Sequence, residues 1–522
     1  MVAPASGGHM DRIALASQMM GGVVEQIRKA SSGHSGTLEN FRPRRASRYD
    51  EARSLDLVMA RAESLVGSDG HAASCVDSLA LNVAGPGLRP QSYPDLSALG
   101  IESEAANEFA DSAEAAWKIW CAEADAADTD HFDDLQYQSI RSMFVTGEFL
   151  HLPVWLDPAS DPCRTFGLAL QALHPARLRT PSDKMTNPTI RAGVQLGIGN
   201  RPLGYWIAEP REGRMLLGLT SKDFRFVPRK IAHRYTCLHQ RHAIMPEQLR
   251  GESLLSPAMK HFRDLADYVD YELVGALIAA CFTVFIESPS TDVNGQALPG
   301  HRSSGEQDPR RPYPAEVEPG LVMRGKPGDK IHTISNNRPA PSFDAFYTRM
   351  TRMAAASTGQ PYEIVAKDFS KTNYSSARAA LLEVWKLHTM YQDWFIRSYL
   401  QRIWVMVMEE AHLRGLLAMP KGAPGFYESM RAWCAAIWTR PPRGNIDPVK
   451  ERKAESLGLE TLTETRTSIC HSGGKDWDAV LRTLEREDKA IRKAGLVQVL
   501  APVTPDNSTP PNTASGEEDL SA

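Results

Sequence analysis

Four aspartates crowd the stretch ADTDHFDDL, and carboxylates at this density could bind a pair of metal ions. They are Asp128, Asp130, Asp133 and Asp134. Two Mg²⁺ ions held in this way would give a metal-dependent nuclease. Phe132 and Leu135 in the same stretch fit instead the first turn of a helix, where carboxylates favour the helix dipole. The pattern favours the helix, and the nuclease is kept as the alternative hypothesis.

A second run carries nitrogen and sulfur ligands that could hold zinc. It contains His233, Cys237, His239 and His242. Zinc sites usually draw closely spaced ligand pairs from two separate segments, whereas these residues share one predicted strand and loop. Further along, EEAH at residues 409–412 lacks the second histidine of an HExxH site. The sequence therefore predicts no metal ligand and no cofactor.

Nucleotide-binding and hydrolase motifs are absent from the sequence. No GxxxxGK[ST] occurs, which argues against ATP hydrolysis by this chain, and no GxSxG marks a serine hydrolase. The glycines of GIGNRPLG, residues 197–204, do not have the GxGxxG spacing, and we expect a β-hairpin turn there. These features favour a protein that is not an enzyme.

Lysines in a short polar stretch offer another chemistry, the sequence-independent contact with phosphate. The stretch KDFSKTN holds Lys367, Asp368, Phe369, Ser370, Lys371, Thr372 and Asn373. The two lysines could face DNA, or they could be solvated loop charges beside a helix start. Asp368 would partly offset their charge. Phe369 could be a wedge against DNA, but a packing anchor is the more typical role.

The densest basic run is RPRRASR at residues 42–48. Its arginines are Arg42, Arg44, Arg45 and Arg48. They could contact DNA, or they could pair with an acidic face of a neighbouring subunit, because charge runs are usually solvated or interfacial.

The composition is that of a soluble globular protein of several domains. The 522 residues are 42% hydrophobic and 23% charged, with a net charge of −4, which argues against wrapping nucleic acid with the whole surface. Seven scattered cysteines without a CxxC motif predict that most of them are buried thiols in a reducing compartment. The N-terminus has no apolar signal-peptide core. The most apolar window, residues 273–286, is too short to span a membrane, which takes about 20 residues.

Hydrophobic periodicity predicts an α+β protein made mainly of helices. Helical patterns cover residues 49–83, 103–125, 132–146, 256–287 and 342–358, with Ser256 and Ser342 as N-caps. Short alternating segments between residues 148 and 244 predict a β-rich subdomain. Residues 288–320 are rich in Pro and Gly and read as an insertion. A charged helical module follows residue 447, and residues 501–522 form an acidic, disordered tail.

The stretch after the lysines predicts an unusually long helix over residues 374–414. At 100° per residue, Val384, Leu387, Tyr391 and Phe395 share one face. Leu382 and Met390 lie among the charges of the other face, which another subunit could cover. The helix would be about 60 Å long at ~1.5 Å per residue, a length more typical of ring assemblies than of a single domain.

Several long blocks resemble the portal proteins of tailed phages, specifically the lambda-like family. The blocks are KDFSKTNYSSARAALLEVWK, FDAFYTRMTRMAAASTGQPYEIV, LRGESLLSPAMKHFRDLADYVDYELVGALIAACF and TRPPRGNIDPVKERKAE. The resemblance runs in order from residue 42 to residue 497. One departure is AHRYTCLHQRHAIMPEQLRG, where the family has an HxFxxxRPGQxRG-like run.

This resemblance implies a homo-oligomeric ring, usually of twelve subunits, at one vertex of the phage capsid. Double-stranded DNA is packaged and ejected through its channel without sequence recognition. The implied partners are the major capsid protein and scaffold, the terminase large subunit and a head completion or connector protein. No cofactor and no membrane is implied. The implied location is the virion portal vertex, after assembly in the host cytoplasm.

The resemblance also implies a division of the chain. A flexible basic arm (1–48) precedes a wing of helices and a β-rich subdomain (49–255). A stem helix (256–287), a clip (288–341), a second stem helix (342–358) and a tunnel-loop region (359–373) follow. The long wing helix and its following segment (374–446), a crown (447–500) and the acidic tail (501–522) complete it. Residues 367–373 would line the DNA channel.

Overall fold

The computed structural model describes residues 50–209, 220–281, 285–287, 330–332, 343–370, 374–442 and 448–494. These residues form an α+β fold made mainly of helices, as predicted. No helix in this part of the chain is long and apolar enough to cross a membrane.

The helices follow the predicted order, and several bounds agree closely. The α-helices are α1 Asp50–Ser68, α2 Gly70–Val83, α3 Leu96–Leu99, α4 Ser103–Ala122, α5 Phe132–Thr146, α6 Met259–Cys281, α7 Phe343–Ser357, α8 Tyr362–Ala366, α9 Tyr374–Phe395, α10 Gln401–Leu413, α11 Met430–Trp433, α12 Pro448–Glu460, α13 Arg466–Ser472 and α14 Trp477–Lys493. Helices α1 and α2 meet at Asp69, whose side chain accepts a hydrogen bond from Ala72 N and so caps α2.

Most strands lie where alternation predicts them, between residues 148 and 241, but the sequence did not predict the strand pair Arg89–Ser92 and Ala436–Thr439. They are β1 Arg89–Ser92, β2 Glu148–Trp155, β3 Leu168–Leu173, β4 Ile190–Arg191, β5 Val194–Leu196, β6 Pro202–Ala208, β7 Phe224–Pro228, β8 Lys230–Ile231, β9 Arg234–Tyr235, β10 Leu238–Arg241, β11 Phe285–Glu287, β12 Lys330–His332 and β13 Ala436–Thr439. Strands β10, β2 and β3 form one sheet, strands β4 to β7 another, and the rest form two-stranded pairs. The turn between β5 and β6 confirms the predicted hairpin.

The described residues divide into two compact units. One comprises residues 50–60, 176–209 and 220–227 and contains the four-stranded sheet. Within it, Arg179 pairs with Asp56 at 3.0 Å. The other unit comprises the remaining described residues and contains the three-stranded sheet and helices α2 to α14.

The core of the second unit is built around tryptophans. The ring of Trp117 lies 5.0 Å from Trp120, 5.4 Å from Trp404 and 5.3 Å from Phe132. Aromatic pairs at these distances stabilise a core beyond the area they bury. Helices α4, α5 and α10 are therefore held together by side chains that lie far apart in the sequence.

The helix predicted over residues 256–287 is shorter at both ends. The helix begins only at Met259, because residues 254–258 form a turn. Just before this turn, Ser253 Oγ accepts a hydrogen bond from Leu255 N. Ser256 is therefore not the N-cap, and its buried Oγ has no hydrogen-bond partner in the described structure. At the other end, Phe285–Glu287 is a strand that pairs with Lys330–His332. The N-cap predicted at Ser342 lies outside the described residues.

The predicted long helix is present and contains a widened turn. Helix α9, a π-helical turn at Ile396–Leu400 and helix α10 contain 22, 5 and 13 residues and follow each other directly. We call residues 374–413 the long helix. Val384, Tyr391 and Phe395 are buried and Leu382 and Met390 are exposed, as predicted.

Candidate functional site

The candidate segment begins with a short helix that the sequence did not predict. Gly359, at φ +76°, ends α7 and Pro361 precedes α8. Helix α8 ends at Lys367, which adopts φ 55° and ψ 27°. This left-handed conformation is common at helix C-termini, where glycine is the usual residue. The polar stretch therefore starts from a strained lysine.

The first lysine of the stretch contacts helix α2. Lys367 Nζ donates a hydrogen bond of 2.6 Å to Ser78 Oγ. Ser78 is almost completely buried, so the ammonium group lies against the protein although much of the lysine side chain is exposed. Contact of Lys367 with DNA stays a prediction, and it would require this bond to be shared or released.

Asp368 organises the next residues. Its carboxylate accepts hydrogen bonds from Ser370 N at 3.0 Å and Ser370 Oγ at 2.6 Å, and from Tyr362 Oη at 3.2 Å. Burial and the bond to Asp368 raise the pKa of Tyr362, so its hydroxyl stays protonated as the donor. The negative charge of Asp368 is thus partly neutralised by hydrogen bonds within the loop.

Phe369 projects from this organised turn. Its side chain is 56% exposed, so the expected packing anchor is not formed in the described part of the chain. The other predicted site residues lie outside the described residues. They are Lys371, Thr372 and Asn373, and Arg42, Arg44, Arg45 and Arg48.

A set of buried hydrogen bonds that the sequence did not reveal ties the start of this segment to helix α2. Gln360 Nε2 donates to Cys75 O at 2.9 Å and lies 2.8 Å from Cys75 Sγ, while Cys75 Sγ lies 3.2 Å from Thr358 Oγ1. Burial raises the pKa of the Cys75 thiol to about 11. The thiol is therefore a neutral hydrogen-bonding group that ties the end of α7 to α2. The sequence signal that could have indicated this contact is the polar TGQP turn that follows the alanine run of α7.

The histidine and cysteine run does not form a metal site. His233 Nε2 lies 2.7 Å from Glu409 Oε1 and His239 Nε2 lies 2.8 Å from Glu148 Oε2. Cys237 is buried and the His242 ring packs against Tyr391 and Trp394. Across the described residues, no group of three or more His, Cys, Asp or Glu side chains is placed to hold a metal ion.

Glu148 is the centre of a buried charge network. Its carboxylate is fully buried and accepts from Arg250 Nε at 2.7 Å and Gly251 N at 2.9 Å, in addition to its contact with His239. Burial by itself would raise the Glu148 pKa, but Arg250 and His239 outweigh burial and lower it to about 2. His239, which was considered above as a zinc ligand, thus belongs to a structural polar network that joins β2 to β10 and to the turn before α6.

The aspartate cluster confirms the helix interpretation. Helix α5 begins at Phe132, and Asp133 and Asp134 lie in its first turn. Asp133 pairs with Arg89 at 3.2 Å. Asp130 Oδ2 accepts from Gln138 Nε2 at 2.8 Å. These contacts stabilise the helix terminus and leave the nuclease hypothesis without structural support.

Comparison with known proteins gives one consistent result for most of the chain. Residues 34–392 match the family model "Phage portal protein, lambda family". The chain is 24% identical over 485 residues to "Portal protein B" of Escherichia phage lambda, covering 89% of this chain and 90% of that protein. It is 24% identical over 455 residues to the "Portal protein" of Escherichia phage N15, covering 84% of each. None of these relatives supports a nuclease.

Solved structures with a similar chain include gene transfer agent (GTA) particles. A chain of "Virion of native gene transfer agent (GTA) particle" overlaps with a TM-score of 0.41 at 12% identity, covering 82% of this chain and 92% of that chain. A chain of "Neck of empty GTA particle computed with C6 symmetry" overlaps with a TM-score of 0.40 at 14% identity, covering 75% and 94%. The family match spans more than half of the sequence, and the chain therefore belongs to the lambda family of phage portal proteins and serves as the portal protein of a phage virion.

Proposed function

We propose that the chain assembles into a closed homo-oligomeric ring, of about twelve copies by analogy with its family, and conducts double-stranded DNA through the centre without catalysing a reaction. The observation that carries this proposal is the family match over residues 34–392. That range includes both helices of the α6–α7 region and the polar stretch at residues 367–373. When one face of a protein binds a different face of the next copy, the copies form a closed ring if the rotation between them closes.

Residues 367–373 are proposed to touch the moving DNA. Lysine recognises phosphate as a point charge and reads no base, so Lys367 and Lys371 suit a contact that must tolerate every sequence. The bond from Lys367 to Ser78 contributes on the order of 1 kcal/mol. A passing phosphate could compete for the ammonium group at this energy, so the bond would position Lys367 without sequestering it.

Phe369 and Asp368 are proposed to shape this contact. The exposed Phe369 ring follows the Asp368 turn directly. Because Asp368 already accepts three hydrogen bonds, its charge is partly neutralised inside the loop. The segment would therefore present a phenyl ring between two lysines in every copy. Arg42, Arg44, Arg45 and Arg48 are proposed to contact DNA or an adjacent subunit.

The remaining partners follow from the proposed division of the chain. Helices α6 and α7 would form the stem, residues 288–341 the clip, and α12 to α14 the crown. The clip would dock the terminase large subunit and a head completion protein. The wing, residues 49–255 and the long helix, would face the major capsid protein and scaffold.

A paired experiment tests the proposal. Native mass spectrometry and negative-stain imaging of the purified chain should show closed rings with an open centre. Rings that carry both Lys367→Ala and Lys371→Ala should still form but should package DNA more slowly, or retain it less well, in reconstituted heads. Lys386→Ala is the matched control, because Lys386 is an exposed lysine on the long helix that pairs only with Glu383 in the described structure. A chain that forms no ring with its scaffold present would refute the assembly. Normal packaging by the double variant would refute the role of the lysines.

A further inference from the structure

A pair of short strands brings basic side chains onto the second half of the long helix. Strands β8 and β9 form a hairpin whose turn contains Ala232, at φ +52°. The hairpin is fixed to the long helix by Glu409, a carboxylate that is almost completely buried. Glu409 accepts two hydrogen bonds from the Arg234 guanidinium, at 2.9 and 3.1 Å, and lies 2.7 Å from His233 Nε2. The hairpin therefore has a defined position on the helix.

Three cations surround the Tyr235 ring of this hairpin. Lys230 Nζ lies 4.0 Å from the ring centroid, and the Cζ atoms of Arg402 and Arg229 lie 4.8 and 5.9 Å from it, distances at which an aromatic ring attracts a positive charge. Arg402 belongs to the long helix, two turns before Glu409 and on the same face. All three cations are exposed or partly exposed, so a ligand can reach them from solvent. We call Arg229, Lys230, Tyr235 and Arg402 the Tyr235 cluster.

The Tyr235 cluster carries more positive charge than the nearby carboxylate can offset. Glu409 already pairs with Arg234 at 2.9 Å. Among the described residues, neither Arg229 nor Lys230 forms a salt bridge. Burial would raise the pKa of Tyr235, but the three cations outweigh burial and lower it, which indicates a positive potential at the ring hydroxyl. A chain with a net charge of −4 thus has a local basic surface here.

We propose that the Tyr235 cluster is a phosphate-binding site for double-stranded DNA, separate from residues 367–373. The inference rests on the proposed function, which brings DNA to this protein. A guanidinium group presents a planar set of N–H donors that matches the oxygens of a phosphate group, and an ammonium group adds a compact charge. Because duplex DNA carries one phosphate charge per ~1.7 Å of its axis, the three cations can contact more than one phosphate at the same time. The site needs no base contact and would bind any sequence.

The Tyr235 cluster is far from the polar stretch along the same helix. Arg402 follows Tyr374, the first residue of α9, by a helical length of about 42 Å at ~1.5 Å per residue. The hairpin also lies in AHRYTCLHQRHAIMPEQLRG, the stretch in which the sequence departs from its family. The two proposed DNA contacts can therefore be removed independently of each other.

Binding of a fluorescently labelled DNA duplex to the purified chain, followed by anisotropy at several salt concentrations, tests the site. In the double variant Arg229→Gln with Lys230→Gln, we expect an affinity at least about tenfold lower at low salt. The slope of the logarithm of the binding constant against the logarithm of the salt concentration should fall by about 2, because each phosphate contact contributes about 0.9. Arg402→Gln, which removes a charge from the other element, should lower the slope by about 1.

The matched control removes the same charge elsewhere. Arg452→Gln with Lys453→Gln changes two neighbouring exposed residues on α12, where Arg452 pairs with Glu455 at 2.8 Å. This variant should bind DNA with the affinity and the slope of the wild type. Circular dichroism and native mass spectrometry should give the same unfolding temperature and oligomeric state for both double variants and the wild type. Unchanged affinity and slope in the variant with Arg229→Gln and Lys230→Gln would overturn the inference.

Competition identifies the source of the bound phosphate. Unlabelled duplex should displace the label at a lower phosphate concentration than ATP or inorganic phosphate, because only the duplex offers a row of neighbouring phosphates. Equal displacement by ATP would assign the Tyr235 cluster to a small phosphate ligand and overturn the DNA site. Binding of labelled poly-glutamate that is lost in the same double variant would assign it to an acidic protein and overturn the DNA site as well. A chain that forms no ring can still be measured in this way, so failure to assemble would refute the proposed function and leave this inference to its own result.

Discussion

Replacing Glu148 by Gln should strongly destabilise the larger unit. The change keeps the shape of the side chain but removes the charge that pairs with the buried Arg250 and that is hydrogen-bonded to His239. One oxygen also becomes an NH2 group that faces hydrogen-bond donors. Breaking a buried ion pair from one side costs about 3–5 kcal/mol, because the remaining charge has no partner. We therefore expect the free energy of unfolding to fall by that amount.

The pKa of Glu148 gives a second way to work out how much its charge contributes to the free energy of unfolding. Its value falls from an ordinary 4.5 to about 2 in the folded protein. A lowered carboxyl pKa contributes stability that is present above pH 4.5 and is lost as the pH falls towards 2. At 1.36 kcal/mol for each pKa unit, the loss is about 3 kcal/mol. Burial also lowers the pKa of His239, so the unfolded chain protonates this residue first and stability falls further below its ordinary pKa of 6.5.

Urea unfolding followed by tryptophan fluorescence at several pH values measures both effects. At pH 7 the Glu148→Gln variant should lose about 3–5 kcal/mol, and its stability should depend less on pH between 5 and 3 than that of the wild type. Glu383→Gln is the control, because Glu383 pairs with Lys386 at the surface and such pairs contribute about 0–1 kcal/mol. If both variants lose the same small amount, the buried network does not stabilise the fold as argued.

Two further predictions concern backbone geometry, and unfolding measurements check both. Lys367→Gly should be about 1 kcal/mol more stable than Lys367→Ala, because both lose the bond to Ser78 and only glycine relieves the left-handed backbone; equal stabilities would contradict the strain at this position. Gly251→Ala should cost about 3 kcal/mol, since the new methyl group would lie 1.8 Å from Gly147 O. Gly67→Ala, which meets no atom within 4 Å inside a helix, should instead stabilise by up to about 1 kcal/mol. Similar effects at the two glycines would refute the close approach.

Local sequence signals located most of the helices and strands. Helix α5 was predicted over its observed range because its start signal lies in a few adjacent residues, Phe132 and the carboxylates that follow. The long helix was predicted because its periodicity extends over many turns. The hydrophobic periodicity predicted the wrong ends for α6, near residues 256 and 285. Leu254 N bonds to Phe144 O and strand Phe285–Glu287 needs strand Lys330–His332, so distant partners decide both ends of α6.

The contacts of the candidate site could not be predicted for the same reason. Lys367 and Ser78 are 289 residues apart, and Glu148 and Arg250 are 102 residues apart. A single sequence shows that such groups are polar, but it does not show which distant group each one meets. The sequence could therefore indicate the polar stretch and its lysines. It could not show that one lysine is held by a buried serine.

The π-helical turn at Ile396–Leu400 has a consequence for how this sequence can change. Such a turn accommodates one extra residue within an α-helix. Deleting one residue within the turn would therefore restore a regular α-helix, whereas deleting one residue next to the turn would rotate one half of the long helix by about 100° relative to the other. Phe395 before the turn and Trp404 after it are both fully buried, so that rotation would expose one of them. Insertions and deletions should therefore be excluded from the α-helical parts of the long helix, and the π-helical turn is the place where the loss of one residue would be tolerated.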